Sequence, residues 1–381
     1  MADRKLRVFI NGLGVMGKDF FRVIEEYGNG KIQVVGGNDA HPNFTAENLA
    51  YQLNFDTIYR NFRRFVIGVD KPPINFSEEP ITYDRKKSIG SIWFTGVDGL
   101  DKTVPVFREI NPERLPYREL EVDLVYDCTG HYLTRDLAQK QIDAGAKIVH
   151  LSGPPEKDKS IIPTIPGYND KIVDYKSDKI SSGGSCTTTC LVTVVATLHE
   201  KFNLIRASAI TYHAYTNDQN TQDGWNKAPE RSRAAAESYK YAKTGAAQMI
   251  GRVIPDLEGR IGVEAIRGSH PAVSLLNLAA EFEKNPTAEE INQFLISVAH
   301  GDIRDEFYQG LVGRLGVTDL AVTSGDIIGN PFSALVELRA TKATDDNRIA
   351  NITAHYDNVR MFTIRQKELM ENHAHHFVNE K

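Results

Sequence analysis

Cysteine is scarce in this chain: 381 residues hold three, Cys128, Cys186 and Cys190. An odd number in a long chain speaks against a disulfide framework, and no spacing matches the Cys-x-x-Cys of a zinc site, so no metal is expected. Basic charge is not in excess either. A net charge of −5 leaves no positive field for a nucleic-acid backbone or an anionic membrane surface, so neither is an expected partner. Long hydrophobic runs are missing, and the opening MADRKLRVFINGLG has charges where a signal peptide needs its apolar segment. A cytoplasmic location is the expectation. Internal repeats and low-complexity linkers are also lacking.

What is present is the composition of a well-buried globular protein, 41% apolar and 25% charged, at a length that suits two domains. Residues 5–10, KLRVFI, read as a strand running into the glycine turn NGLGVMG. A helix follows, with Met16, Phe20, Val23, Ile24 and Tyr27 on one face. KIQVVGGNDA, VDLVYDCTG, the helix HYLTRDLAQKQIDAGAK and KIVHLS continue the alternation, which predicts an α/β, doubly wound parallel sheet over the first ~150 residues. Residues 57–110 break this rhythm and are expected to form an antiparallel excursion at the sheet edge. After Cys186 the strands ASAITYH, IGVEAIR, AVSLLNLAAEF, SALVELRAT and RIANITAHY outnumber the helices, predicting an α+β domain with a mainly antiparallel sheet. PTAEEINQFLISVA carries a capping box, Thr287 with Glu290. The tail from about Met361 is polar, helical in pattern and histidine-rich at HAHH.

Two stretches carry chemistry. Gly12-Leu13-Gly14-Val15-Met16-Gly17 follows a strand and opens a helix, where backbone N–H groups and the helix dipole favour a pyrophosphate. Asp39, ending the next strand, is placed to accept from a ribose 2′-OH and would repel a 2′-phosphate, so NAD is the expected cofactor. The second stretch is SCTTTC. A thiol in the first turn of a helix feels the positive end of the dipole, so the Cys186 pKa is expected to fall, whereas Cys190 lies one turn on, among apolar residues. A thiolate nucleophile needs a base. His213 is the best placed of eleven histidines because it ends a strand before the polar turn AYTNDQN; His131, His150, His270, His300 and His355 stay open as structural alternatives.

These residues resemble a family. SCTTTC, HAYTNDQ 27 residues on, TGAAQMIGRVIPDLEGRIG, HYDN and INGLGVMGK are similar to the motifs of phosphorylating glyceraldehyde-3-phosphate dehydrogenases, over about residues 5–370. The resemblance implies that Cys186 attacks the aldehyde and His213 acts as base. It implies one phosphate site at Ser185, Thr187, Thr244 and Gly245 and another at Thr216 and Arg267. It further implies cofactor contacts at Gly12, Gly14, Val15, Met16, Asp39 and Thr129, with Asn358 meeting the nicotinamide carboxamide. The implied organisation is an NAD-binding Rossmann domain at 1–185, rejoined by a C-terminal helix at 359–381, and a catalytic domain at 186–358, assembled as a homotetramer. The implied substrates are a small phosphorylated aldehyde, chiefly glyceraldehyde 3-phosphate, and inorganic phosphate. Erythrose 4-phosphate as the aldehyde and a non-catalytic NAD-binding homologue are the alternatives. Val15 stands where the family has arginine, IRGSHPAVS replaces its Arg-Val-Pro-Thr-Pro stretch, and the cofactor loop carries Trp225 and SYKYAK.

Overall fold

The computed structural model describes residues 4–62, 66–70, 88–96, 98–174, 176–242 and 244–374. They fall into two compact units. The first comprises Met1–Pro163, Lys171–Gly183 and Thr363–Lys381, and the second Thr164–Asp170 and Gly184–Phe362.

The first unit is built on strands β1 (Leu6–Asn11), β2 (Ile32–Asn38), β3 (Val66–Asp70), β4 (Ser88–Thr95), β5 (Asp101–Phe107), β6 (Leu124–Asp127), β7 (Ile148–Leu151) and β8 (Ile180–Ser182). Their order across the sheet is β3-β4-β5-β2-β1-β6-β7-β8. From β5 to β8 every pairing is parallel, while β3 and β4 add an antiparallel margin. The 57–110 segment therefore forms the expected edge excursion; residues 71–87, which join β3 to β4, lie outside the described residues. Alternation in β1 gives the sheet two covered faces: Leu6, Val8 and Ile10 join one core with Phe20 and Ile24, and Phe9 joins the other with Phe107, Tyr117 and Val149. On the helix Val15–Tyr27, Phe20, Val23 and Ile24 are buried as its period requires, but Tyr27 is 43% exposed at the fraying end. The 131–147 segment is helical only from Arg135 to Asp143, after Thr134 at the N-cap. The C-terminal helix, Arg360–His373, joins the first unit from Thr363 onward. Its Thr363 hydroxyl hydrogen-bonds Asp19 at 2.5 Å, and Gln366 meets the buried His150 at 2.6 Å. His375 and His376 of HAHH lie outside the described residues.

The second unit holds β9 (Leu204–Ala214), β10 (Lys240–Ala242), β11 (Ile261–Gly268), β12 (Ser274–Phe282), β13 (Leu315–Thr318), β14 (Ala334–Glu337), β15 (Lys342–Ala343) and β16 (Ile349–Tyr356). The order is β10-β11-β9-β12-β16-β14-β13, with β15 on β16, and the pairings are antiparallel except β9 with β11 and β13 with β14. SALVELRAT is not one strand as expected: β14 stops at Glu337, and Leu338–Ala340 turn as a 3-10 helix before β15. Strict alternation in β12 buries Ser274, Leu276, Leu278, Ala280 and Phe282 on one face. Against this sheet lies the helix Cys186–Phe202, whose residues Thr187 to Leu198 are all buried. Its buried hydroxyls are satisfied within the helix: Thr189 donates to the Ser185 carbonyl, Thr193 to Thr189 and Thr197 to Thr193. The capping box at Thr287 and Glu290 starts the helix Ala288–His300. Among the described residues no helix is long and apolar enough to cross a membrane.

Candidate active site

In the second unit the helix Cys186–Phe202 begins where Ser185, in extended backbone conformation, turns its hydroxyl to accept the Thr188 N–H at 3.1 Å. Cys186 is thus the first helical residue. Its sulfur lies 3.5 Å from Nε2 of His213, which stands one residue before the end of β9. The other ring nitrogen, Nδ1, is 2.7 Å from the Ala214 carbonyl. A carbonyl can only accept, so Nδ1 carries the proton and Nε2 presents its lone pair to the Cys186 thiol.

The protonation states differ from the expectation of a depressed thiol. Burial pushes Cys186 up to about 11, against the Thr187 backbone N–H and hydroxyl, which hydrogen-bond the sulfur, and the charge of Arg267. Burial also pushes His213 down to about 4, helped by Arg267 and His270 and opposed by the Ala214 carbonyl and Asp218. The pair at rest is therefore a neutral thiol beside a neutral imidazole. The helix N-terminus favours the thiolate, but one turn of dipole is a smaller effect than the loss of water around the sulfur. Cys190 is fully buried and its thiol is pushed well above the ordinary range by burial; Cys128 is half-buried and is raised for the same reason.

Arg267 lies opposite His213 in the parallel β11–β9 register, so both side chains leave the sheet at the same edge. Its Nη1 meets the Thr216 hydroxyl, Asp218 Oδ1 at 3.1 Å and Gln219 Oε1 at 3.1 Å. Arg231 takes the second Asp218 oxygen. Burial opposes ionisation of Asp218, but the Thr216 hydroxyl and the two arginines outweigh it and hold the carboxyl below its usual range. Two cations face one anion here, which leaves net positive charge beside the Cys186–His213 pair. Thr244 hydrogen-bonds the Ala246 N–H at 3.2 Å, and Gly245 opens the helix Ala246–Val253 without a side-chain cap. The Thr187 hydroxyl, by contrast, faces inward, 2.9 Å from the buried Tyr356 phenol as well as against the sulfur. With one proton to give, it serves the sulfur and the core rather than a phosphate.

At the start of the helix Val15–Tyr27, Gly14 supplies no side-chain cap, and the space beyond its Cα is open. Gly12 has φ +94°, and an added Cβ would lie 2.8 Å from the Cys128 carbonyl carbon. The turn can be made only by glycine. Asp39 holds it from one side, accepting Leu13 N–H and His41 N–H at 2.9 Å each. Beneath lies a buried network: Asp127 accepts from Asn11, Gln141 and Thr129 at 2.9, 2.8 and 2.7 Å, and Asn38 donates to Asn11. Burial raises the Asp127 pKa despite those donors. The Thr129 hydroxyl is committed to Asp127 and to the His131 N–H. In the second unit Asn358 follows β16 in a turn held by Asp357, which accepts Val359 N–H and Arg360 N–H. Its amide oxygen is buried with no hydrogen-bond partner. An uncapped helix start, a carboxylate beside it and, separately, an orphaned amide acceptor fit a dinucleotide ending in a carboxamide.

The structure thus brings Cys186, His213, Arg267 and Thr216 to one sheet edge, and gathers Gly12, Gly14, Val15, Met16, Asp39 and Thr129 around one turn. Sequence reasoning passed over Asp218, Gln219 and Arg231, although the first two stand next to Thr216 in HAYTNDQ. It also passed over Tyr356 and its second partner, the Thr211 hydroxyl at 2.7 Å. Of the alternative histidines, His150 is buried between Ser181 and Gln366, and His355 meets Glu337 at 3.1 Å.

Residues 185–358 match the family model described as glyceraldehyde 3-phosphate dehydrogenase, C-terminal domain. The chain is 30% identical over 371 residues to a glyceraldehyde-3-phosphate dehydrogenase of Haloarcula vallismortis, which spans 97% of this chain and 99% of that one. It is 32% identical over 364 residues to one of Geobacillus stearothermophilus, with 96% and 97% covered. To glyceraldehyde-3-phosphate dehydrogenase 2 of Nostoc sp. it is 31% identical over 366 residues, with 96% and 98% covered.

Proposed function

The chain belongs to the glyceraldehyde-3-phosphate dehydrogenase family, and from that premise we propose that it catalyses the NAD-dependent, phosphorylating oxidation of glyceraldehyde 3-phosphate. The observation that carries this reading is the 3.5 Å approach of the Cys186 sulfur to a His213 Nε2 whose lone pair faces it. Because both groups are neutral at rest, the sulfur becomes nucleophilic as its proton moves to Nε2 during attack on the aldehyde carbon. That proton passes to the new alkoxide, giving a hemithioacetal on Cys186. His213 then withdraws the hydroxyl proton as the C–H bond breaks. NAD, when bound, accepts the hydride. The resulting Cys186 thioester keeps the energy of oxidation, and attack by inorganic phosphate releases the acyl phosphate, 1,3-bisphosphoglycerate, and restores the thiol.

Arg267 and Thr216 supply the charge and hydroxyl for the substrate phosphate, with Asp218 exchanging its place on the guanidinium. Ser185, Thr244 and Gly245 are assigned to the attacking phosphate, while Thr187 is reassigned to the sulfur. For the cofactor, Gly12, Gly14, Val15 and Met16 offer backbone to the pyrophosphate, Asp39 to the adenosine ribose and Asn358 to the carboxamide, with Thr129 lining the turn. The assembly proposed is a cytoplasmic homotetramer with domains at 1–185 plus 359–381 and at 186–358. The test is absorbance of NADH on mixing protein, NAD, aldehyde and phosphate. Turnover that requires phosphate supports the reading, and no NADH under conditions where an authentic enzyme responds refutes it.

A further inference from the structure

Behind the nucleophile, three hydroxyls from three separate elements form a line. Thr211 on β9 lies 2.7 Å from the Tyr356 phenol at the end of β16, and that phenol lies 2.9 Å from Thr187 in the first helical turn. Tyr356 and Thr211 are fully buried and Thr187 is 5% exposed, so water does not compete for these bonds. The Thr187 hydroxyl also reaches the Cys186 sulfur. Each hydroxyl has one proton to give. Thr187 can direct its proton at the sulfur only if Tyr356 donates to the Thr187 oxygen, and Tyr356 is then free to accept from Thr211. The line has one productive sense, Thr211 to Tyr356 to Thr187 to sulfur, and each bond polarises the next. In the reverse sense the sulfur loses this donor. Burial, with Cys186 and Cys190 beside it, drives the phenol pKa upward, so Tyr356 stays a donor as the sulfur ionises.

We propose that Tyr356 is a positioning residue for the nucleophile: its phenol fixes the sense of a buried hydroxyl line that aims Thr187 at the Cys186 sulfur and stabilises the thiolate. This rests on Cys186 being the nucleophile. The test uses the full chain with Tyr356→Phe, which removes one oxygen and keeps the ring, and with Thr211→Val, which removes the donor to the phenol. Iodoacetamide labelling of Cys186, followed by peptide mass spectrometry across a range of alkaline pH, needs neither cofactor nor aldehyde. Tyr356→Phe should displace the pH–rate profile upward by about one unit, hence about tenfold slower labelling at each pH below the midpoint. Thr211→Val should displace it the same way by less, and it decides the matter if the phenylalanine variant melts out. If the parent labels Cys186 no faster than Cys190, the nucleophile assignment fails. If it labels Cys186 faster but both folded variants keep the parent profile, Tyr356 only packs and this inference alone falls.

Discussion

His213 should make the protein sensitive to mild acid in a way that one substitution removes. Its folded-state pKa is pushed from 6.5 to about 4, chiefly by burial. In the unfolded chain the imidazole takes up a proton near pH 6.5, but in the folded chain not until about pH 4. The unfolded state therefore binds more protons across that window, so stability falls as pH drops through it and is unaffected above it. At pH 5 the cost is about 2 kcal/mol, and below pH 4 it approaches about 3 kcal/mol. His213→Asn cannot titrate. Whatever contacts the asparagine loses are lost equally at both pH values and cancel in the comparison. Urea unfolding of parent and variant, followed by circular dichroism near pH 7.5 and near pH 5, should show the variant gaining about 2 kcal/mol relative to the parent on acidification. A difference that stays the same at both pH values would mean that the imidazole is solvated, and the neutral-pair account of the site would be wrong.

Arg267→Met should raise the KM for the phosphorylated aldehyde about 10- to 100-fold, since a charged hydrogen-bond donor is lost, while leaving kcat/KM for unphosphorylated glyceraldehyde nearly unchanged. Equal losses on both substrates in steady-state kinetics would remove Arg267 from phosphate recognition. Asp39→Asn should weaken NAD binding and narrow its preference over NADP by about tenfold, because the carboxylate that accepts from the ribose and repels a 2′-phosphate is neutralised. Calorimetric titration with both dinucleotides checks this, and an unchanged ratio of affinities counts against the assignment.

Much of this was readable from local pattern. The glycine turn announced itself because only glycine fits at Gly12, and Asp39 because a strand of predictable length ends there. Cys186 and His213 could be paired because each closes a recognisable element, a helix start and a strand end. The excursion at the sheet edge was legible as a break in rhythm and proved to be antiparallel pairing of β3, β4 and β5. What escaped was set by tertiary contact. Tyr356 meets Thr187 across 169 positions of sequence, and no spacing rule connects them. The direction of the Cys186 shift was misjudged because a helix start can be read in sequence whereas desolvation of its sulfur cannot. SALVELRAT looked continuous because its apolar alternation persists through Leu338, while the backbone turns there.

The central claim is that the oxidised substrate is held on Cys186 and leaves only with phosphate. Mixing the protein with NAD and aldehyde in phosphate-free buffer, quenching in acid and measuring the mass of the Cys186 peptide tests it directly. The account predicts an acyl adduct on Cys186 that accumulates with a burst of NADH, is discharged on adding phosphate and is absent in Cys186→Ser. NADH formed without any adduct, or an adduct on another residue, would contradict it.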